Sequence, residues 1–198
     1  MKAQWDSRYS DKDYAYGTEP NEFFKHELDK LEPGRILIPG DGEGRNSVYA
    51  ATRGWEVDAI DWSEEARKKA MLLARKNNVL INYIVDDLTT FSVEREYYDA
   101  AALIFVHFGG EERESLHREV LKGLKPGGIL IIEAFEKEQI SNTSGGPKDP
   151  ELLYSLQEIV EEFIDMELKH LSKDIVELKE GKHHQGKAVV VRFVGQKN

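Results

Sequence analysis

Three glycines at alternate positions, Gly40, Gly42 and Gly44, close a short apolar run, Arg35-Ile36-Leu37-Ile38-Pro39, and a helical pattern follows from Asn46 to Arg53. Glycine is needed where a backbone turns sharply or where a ligand lies against the main chain. The free N–H groups of the helix that follows then face that ligand. About twenty residues further on, a second run from Trp55 to Ile60 ends in Asp61, where an acid can take a ribose hydroxyl pair. Together these residues read as the strand, turn and helix that open a nucleotide-type α/β domain.

The spacing is GxGxG and not GxGxxG, because Arg45 occupies the place of a third dinucleotide glycine. Asp41 and Glu43 put two negative charges where a pyrophosphate would lie, which like charges disfavour. An acid-flanked turn suits a cationic ligand. S-adenosylmethionine has a sulfonium, an amino group and a ribose, and no phosphate. A nicotinamide oxidoreductase is disfavoured on the same grounds.

Composition narrows the field further. Lys and Arg number 27 against 37 Asp and Glu, a formal charge of −10, which argues against a nucleic-acid partner. With no cysteine there is no disulfide, thiolate metal site or cysteine nucleophile. His183-His184 lacks further ligands at metal spacing, so no metal is expected. No apolar run approaches the roughly 18 residues of a membrane span, and Met1 to Asp6 lacks a signal-peptide core. The expectation is one cytoplasmic domain over residues 1–198, monomeric or homodimeric, acting on a small molecule.

Stepping along the chain gives the elements that must position these groups. Residues 1–20 hold Trp5, Tyr9, Tyr14 and Tyr16 among polar residues without strong periodicity, either pinned to the domain or forming a lid within a 1–30 lid and helix segment. A short helix follows Pro20 and stops by Pro33-Gly34. Ser63-Glu64-Glu65 caps a helix after the second strand. Strands follow at Ile81–Val85, Asp99–Val106 and Ile129–Ala134, the last entered through a turn at Pro126-Gly127-Gly128. Ser141 to Pro147 reads as a mobile loop, and a helix carries Leu152 to Phe163. Two runs, Asp174–Leu178 and Ala188–Val194, flank a turn-rich link and predict an antiparallel hairpin. The charge runs Glu111–Glu114 and Glu64–Lys69 read as solvated helix faces. The alternation implies a doubly wound, Rossmann-like α/β fold with right-handed crossovers and helices on both faces.

Taken together, the chain resembles the class I S-adenosylmethionine-dependent methyltransferases, and within them the small bacterial tellurite-resistance and thiopurine-type group. The resemblance rests on Pro39-Gly40-Asp41-Gly42-Glu43-Gly44-Arg45-Asn46-Ser47 as the glycine turn, Leu124-Lys125-Pro126-Gly127-Gly128 before strand five, and Trp5-Asp6-Ser7-Arg8-Tyr9 with Tyr16 to Asn21 as the lid. Glu180-Gly181 with His184 and Gly186 resembles an EGxxHxG signature in the terminal hairpin. The resemblance implies a seven-stranded, mostly parallel sheet of order 3-2-1-4-5-7-6 with a C-terminal antiparallel hairpin strand. It also implies a cofactor site at Trp5, Tyr9, Tyr16, Gly40, Asp41, Gly42, Glu43, Gly44, Asn46, Asp61, Trp62, Asp87, Leu88 and Phe105. Asp87 and Leu88 would meet the adenine. Ile38-Pro39 replaces the usual Leu-Asp, so the methionine amine falls to Asp41 or to backbone carbonyls.

Methyl transfer is an in-line displacement, so alignment and exclusion of water matter most. An ionised soft acceptor (tellurite or selenite, thiolate, halide) needs no strong base, whereas a neutral one does. The ends of strands four and five place the acceptor near Phe105, His107, Phe108 and the Ser141–Pro147 loop. His107 and His184 are the catalytic candidates, each set against a purely structural histidine. The alternatives are a cofactor-binding protein without turnover and a methyltransferase of a larger metabolite.

Overall fold

The computed structural model describes residues 2–198, and the side chains from Trp5 onward. The elements run α1 (Lys2–Tyr9), α2 (Glu22–Leu28), β1 (Arg35–Pro39), α3 (Arg45–Thr52), β2 (Glu56–Asp61), α4 (Glu64–Lys76), β3 (Asn82–Val85) and β4 (Tyr98–Ile104). Then come α5 (Gly110–Gly123), β5 (Leu124–Phe135), two 3₁₀ turns (Lys137–Ser141 and Pro150–Leu152), α6 (Leu156–Glu162), β6 (Met166–Glu180) and β7 (His184–Lys197). The seven strands form one sheet of order β3-β2-β1-β4-β5-β7-β6, as the family resemblance implies. All neighbours are parallel except β7, which runs antiparallel to both β5 and β6.

The strands β1 and β4 are buried on both sides, so their residues divide by the two-residue period of a pleat. Ile36, Ile38, Ala100, Ala102 and Ile104 face one core with Phe24, Leu28 and Val48. Leu37, Ala101 and Leu103 face the other with Leu116, Val120 and Phe163. Three consecutive alanines, Ala100 to Ala102, let both helical layers approach the sheet closely. The strand order reverses between β1 and β4, which opens a crevice at their carboxyl ends.

Several local expectations change. The amino-terminal stretch read as aperiodic contains an eight-residue helix, α1. Pro126-Gly127-Gly128 lies inside β5, and the register against β4 shifts between Tyr98 and Ala100, so a bulge with Gly127 at φ +80° replaces the predicted turn. The Leu152–Phe163 helix splits into a 3₁₀ turn and α6, the latter opened by a Ser155/Glu158 capping box. The Ser141–Pro147 loop is pinned. Buried Gln139 donates to Ser144 Oγ (2.9 Å) and accepts from Val189 N (2.9 Å), while Ser144 Oγ donates to Lys187 O (2.6 Å). The hairpin strands extend well beyond the predicted runs, because β6 is an edge whose Lys and Glu residues alternate into solvent and hide its length.

Candidate functional site

At the end of β1 the chain turns through Gly40 to Gly44 into α3. Gly44 is at φ +91°, and a Cβ there would lie 2.6 Å from Ala70 Cβ, so this glycine lets α3 and α4 meet. Gly42 is at φ +62°, with Tyr9 Oη 2.9 Å from where its Cβ would be, so α1 lies directly over the turn. From beneath, Tyr83 Oη on β3 donates to Gly42 O at 2.5 Å. The close approaches at Gly42 and Gly44 are therefore made by the protein itself.

Asp61 at the end of β2 is 8% exposed and accepts from Gly42 N and Ser63 N, both at 3.0 Å. Burial pushes its pKa up to about 6. Asp41 is also buried, and both its oxygens are taken, by Ser47 N (3.2 Å) and Ser47 Oγ (2.5 Å). Its side chain serves the first turn of α3, and burial pushes its pKa up to about 7. Glu43 is fixed by Ala15 N and Lys69 Nζ, both at 2.6 Å. Lys69, read as part of a solvated face, is thus a buried tie between α4 and the turn. Asn46 accepts from Asn21 N at 3.0 Å and holds the start of α2.

Trp62 stands edge-on to Phe108 at 5.9 Å, and its buried indole N–H has no hydrogen-bond partner among the described residues. Asp87 is anchored through Oδ1 to Thr89 N and Oγ1, and despite partial burial those bonds hold its carboxyl below the usual range. Leu88 is buried beside it. Trp5 and Tyr9 stack at 5.6 Å on the inner face of α1, which is tied down by Ser63 Oγ donating to Asp6 (2.5 Å). A hollow lined by Pro33, Gly34, Arg35, Gly54 and Tyr97 is at the opposite ends of the strands, away from these groups.

A second cluster lies where the hairpin tip meets the amino-terminal segment. His184, 5% exposed, bonds through Nδ1 to Glu180 Oε2 at 3.0 Å. The same oxygen takes Arg45 Nη2 at 3.0 Å, and Oε1 takes Asn21 Nδ2 at 3.1 Å. Burial alone would raise Glu180, but the bonds from His184 and Arg45 hold it well below the carboxylate range. Burial lowers His184 and favours its neutral imidazole, against the pull of the Glu180 carboxylate. Around its ring stand Tyr16 at 4.5 Å, Phe105 at 4.7 Å and Phe135 at 5.2 Å. Phe105 has φ +55°, a conformation aromatic residues rarely adopt, and its N–H bonds Glu133 O at 2.8 Å. Gly145 abuts His184 closely enough that a Cβ would come within 2.6 Å of its Cδ2.

His107 stacks on Phe135 at 5.5 Å, one of the rings that also meet His184. Its Nδ1 pairs with Leu152 O at 2.9 Å and its Nε2 takes Phe135 N at 3.4 Å, so both nitrogens are engaged by backbone. Burial brings its pKa down to about 4. Arg113, read as solvated, is buried beside Glu162 (3.0 Å) and Tyr154. Sequence reasoning did not single out Asn21, Lys69 or Tyr83, and it met Glu180 only as part of a motif. Asn21 carries the one available signal, a cap residue directly after Pro20.

A seven-stranded sheet of this order, with a glycine turn after β1, an acid closing β2 and an antiparallel β7, defines the class I methyltransferase fold. A family model described as "Methyltransferase domain" matches residues 36–128. The chain is 31% identical over 116 residues to a ubiquinone biosynthesis O-methyltransferase of Rickettsia akari, covering 58% of this chain and 44% of that one. It is 23% identical over 112 residues to a probable S-adenosyl-L-methionine-dependent methyltransferase, TehB, of Haemophilus influenzae, covering 56% and 39%. This chain thus spans less than half the length of these curated relatives. The TehB crystal structure superposes with a TM-score of 0.75 at 20% identity, over 88% of this chain and 61% of that one. A structure titled for the conversion of a disulfide bond into a thioacetal group during echinomycin biosynthesis superposes at 0.83, with 15% identity, over 100% and 92%. Residues 36–128 thus match a methyltransferase domain, and the chain as a whole has the fold of S-adenosylmethionine-dependent methyltransferases and resembles TehB.

Proposed function

We propose that the protein transfers a methyl group from S-adenosylmethionine to a small, soft, protic nucleophile, with a thiol as the leading case. The residues of the first cluster fit the cofactor by their chemistry. Asp61 supplies the ribose acid, while Asp87 and the unpartnered Trp62 N–H serve the adenine side. Of the three buried acids around the turn, Glu43 is spent on Lys69 and Asp41 on Ser47, which leaves Asp61 for the cofactor. When bound, the cofactor supplies a methyl group already activated on a sulfonium.

The observation that carries the acceptor reading is the state of His184. Glu180 fixes Nδ1 as the protonated nitrogen, and Nε2 has no hydrogen-bond partner among the described residues. A neutral imidazole held this way accepts a proton, which a thiol must lose and a halide does not carry. The S–H proton passes to Nε2. The freed electron pair forms the new sulfur–carbon bond as the carbon–sulfonium bond breaks, its pair returning to the cofactor's sulfur. Tyr16, Phe105 and Phe135 wall the position and exclude water. His107, with both nitrogens engaged, contributes shape only.

The test supplies labelled S-adenosylmethionine with small thiols, tellurite plus thiol reductant, selenite and iodide, and follows labelled methyl products by mass spectrometry. Wild type should label thiols. Asp61→Ala should lose the product together with cofactor affinity, and His184→Ala should keep affinity while losing about 10²–10⁴-fold in rate. Cofactor binding with silence across the whole panel would favour a non-catalytic binder or a larger acceptor.

A further inference from the structure

Arg45, with Arg113 and Arg192, is one of three arginines among the described residues that hold a buried donor without a hydrogen-bond partner. Its side chain is 9% exposed, Nη2 is spent on Glu180, and Nη1 is buried with no hydrogen-bond partner among the described residues. A guanidinium stays charged, and an unmade bond from a buried charged donor is costly. Glu180 cannot answer it further, since Asn21 holds one of its oxygens and Arg45 with His184 already share the other.

A second guanidinium is close by. Arg8 donates to Tyr16 Oη at 2.7 Å and forms no ion pair among the described residues. Both arginines act electrostatically on Tyr16, whose ring is 4.5 Å from His184. Asp41 is within electrostatic reach of Arg45 but its oxygens are taken by Ser47, and Glu43 is committed to Lys69 and Ala15 N. A chain of net charge −10 therefore keeps two guanidiniums, buried Arg45 and half-buried Arg8, on the hairpin side of the glycine turn within electrostatic reach of His184.

We infer that this pocket binds a carboxylate, with Arg45 as its anchor, and that the acceptor is a small thiol bearing a carboxylate within reach of its sulfur. The inference deepens the methyltransferase reading and rests on it. Arg45 gives two-point recognition: the carboxylate docks on the guanidinium while the sulfur faces His184 between the aromatic rings. The cofactor also has a carboxylate, so the same chemistry has a second source. The location favours the acceptor, because Arg45 is paired with the terminal hairpin and not with β2.

The experiment compares 3-mercaptopropionate with 2-mercaptoethanol, and propionate with propionamide, on protein saturated with cofactor or S-adenosylhomocysteine. Propionate should bind the S-adenosylhomocysteine-loaded protein by ligand-observed NMR and compete with the neutral thiol, while propionamide should do neither. Arg45→Gln should raise KM for the acid thiol about 10–100-fold and leave that for the neutral thiol within about 2-fold, the scale of one charged hydrogen-bonded contact. Arg45→Lys, which keeps the charge beside Glu180 and guards against misfolding, should recover part of the preference. Equal KM values for the two thiols in wild type, or propionate binding only without S-adenosylhomocysteine, overturn the inference. So does an Arg45→Gln defect confined to cofactor affinity, which assigns the guanidinium to the cofactor's carboxylate. Propionate binding with no methylation of either thiol would sink the methyltransferase reading and leave the carboxylate pocket standing.

Discussion

Asp41 offers a sharp test of how the glycine turn is held. Its carboxyl is buried and bonded only to Ser47, and burial raises its pKa from 3.8 to about 7. A carboxyl that binds its proton more tightly when folded supports the fold at low pH. That support is lost as pH climbs from about 4 through about 7, because the unfolded chain has already released the proton. The shift of about three units corresponds to about 4 kcal/mol. Between pH 5 and pH 8 about two of those units are traversed, or roughly 3 kcal/mol. Asparagine keeps an acceptor for Ser47 N–H and cannot ionise. Asp41→Asn should therefore gain about 3 kcal/mol on wild type between pH 5 and pH 8, measured by urea unfolding at both. The charge of neighbouring Asp61 is part of what raises Asp41 and is already included in that figure. A difference that does not change with pH, or an Asn variant that is weaker at pH 8, would refute the reasoning. It would mean that Asp41 is ionised in the fold and that the Ser47 bonds outweigh burial.

Two further outcomes follow from the same geometry. Gly44→Ala combines a positive φ with a Cβ 2.6 Å from Ala70, and thermal unfolding should show a loss of about 3 kcal/mol. Adding Ala70→Gly should restore only the steric share, and full restoration would exclude the backbone contribution. His107 should remain neutral at pH 5.5 with its proton on Nδ1, read from ¹⁵N chemical shifts, since burial lowers it to about 4 and Leu152 O takes the proton. A charged ring at that pH would contradict its burial.

The strands and the register of Asp61 were legible because parallel strands buried on both faces read as unbroken apolar runs, while their order came only with the family resemblance. The terminal hairpin was legible in position and not in extent, since an exposed edge such as β6 has no buried face to mark its length. The second cluster was harder. Glu180 is an ordinary glutamate until Arg45, Asn21 and His184 converge on it, and no local pattern announces a convergence of that kind. Glu43 shows the opposite failure. The sequence read its charge as facing a ligand, and the fold spends it on Lys69 and Ala15. His107 and His184 both sit at strand ends, and only the partners of each nitrogen separate them.

The hairpin tip has a consequence for how the protein is made. Asn21 and Glu180 are 159 residues apart in the chain, and Arg45 and Glu180 are 135 apart. Lys182 N closes the same seam by bonding Ala15 O at 3.0 Å. Contacts of such long sequence separation carry a large loop-closure entropy and form late. A chain growing from its amino terminus can assemble β1 to β4 and the ribose acid while Glu180 and His184 are still unsynthesised. The cluster of Glu180, His184 and Arg45 is completed last, and a half-built chain holds Arg45 with no partner for its guanidinium from the hairpin.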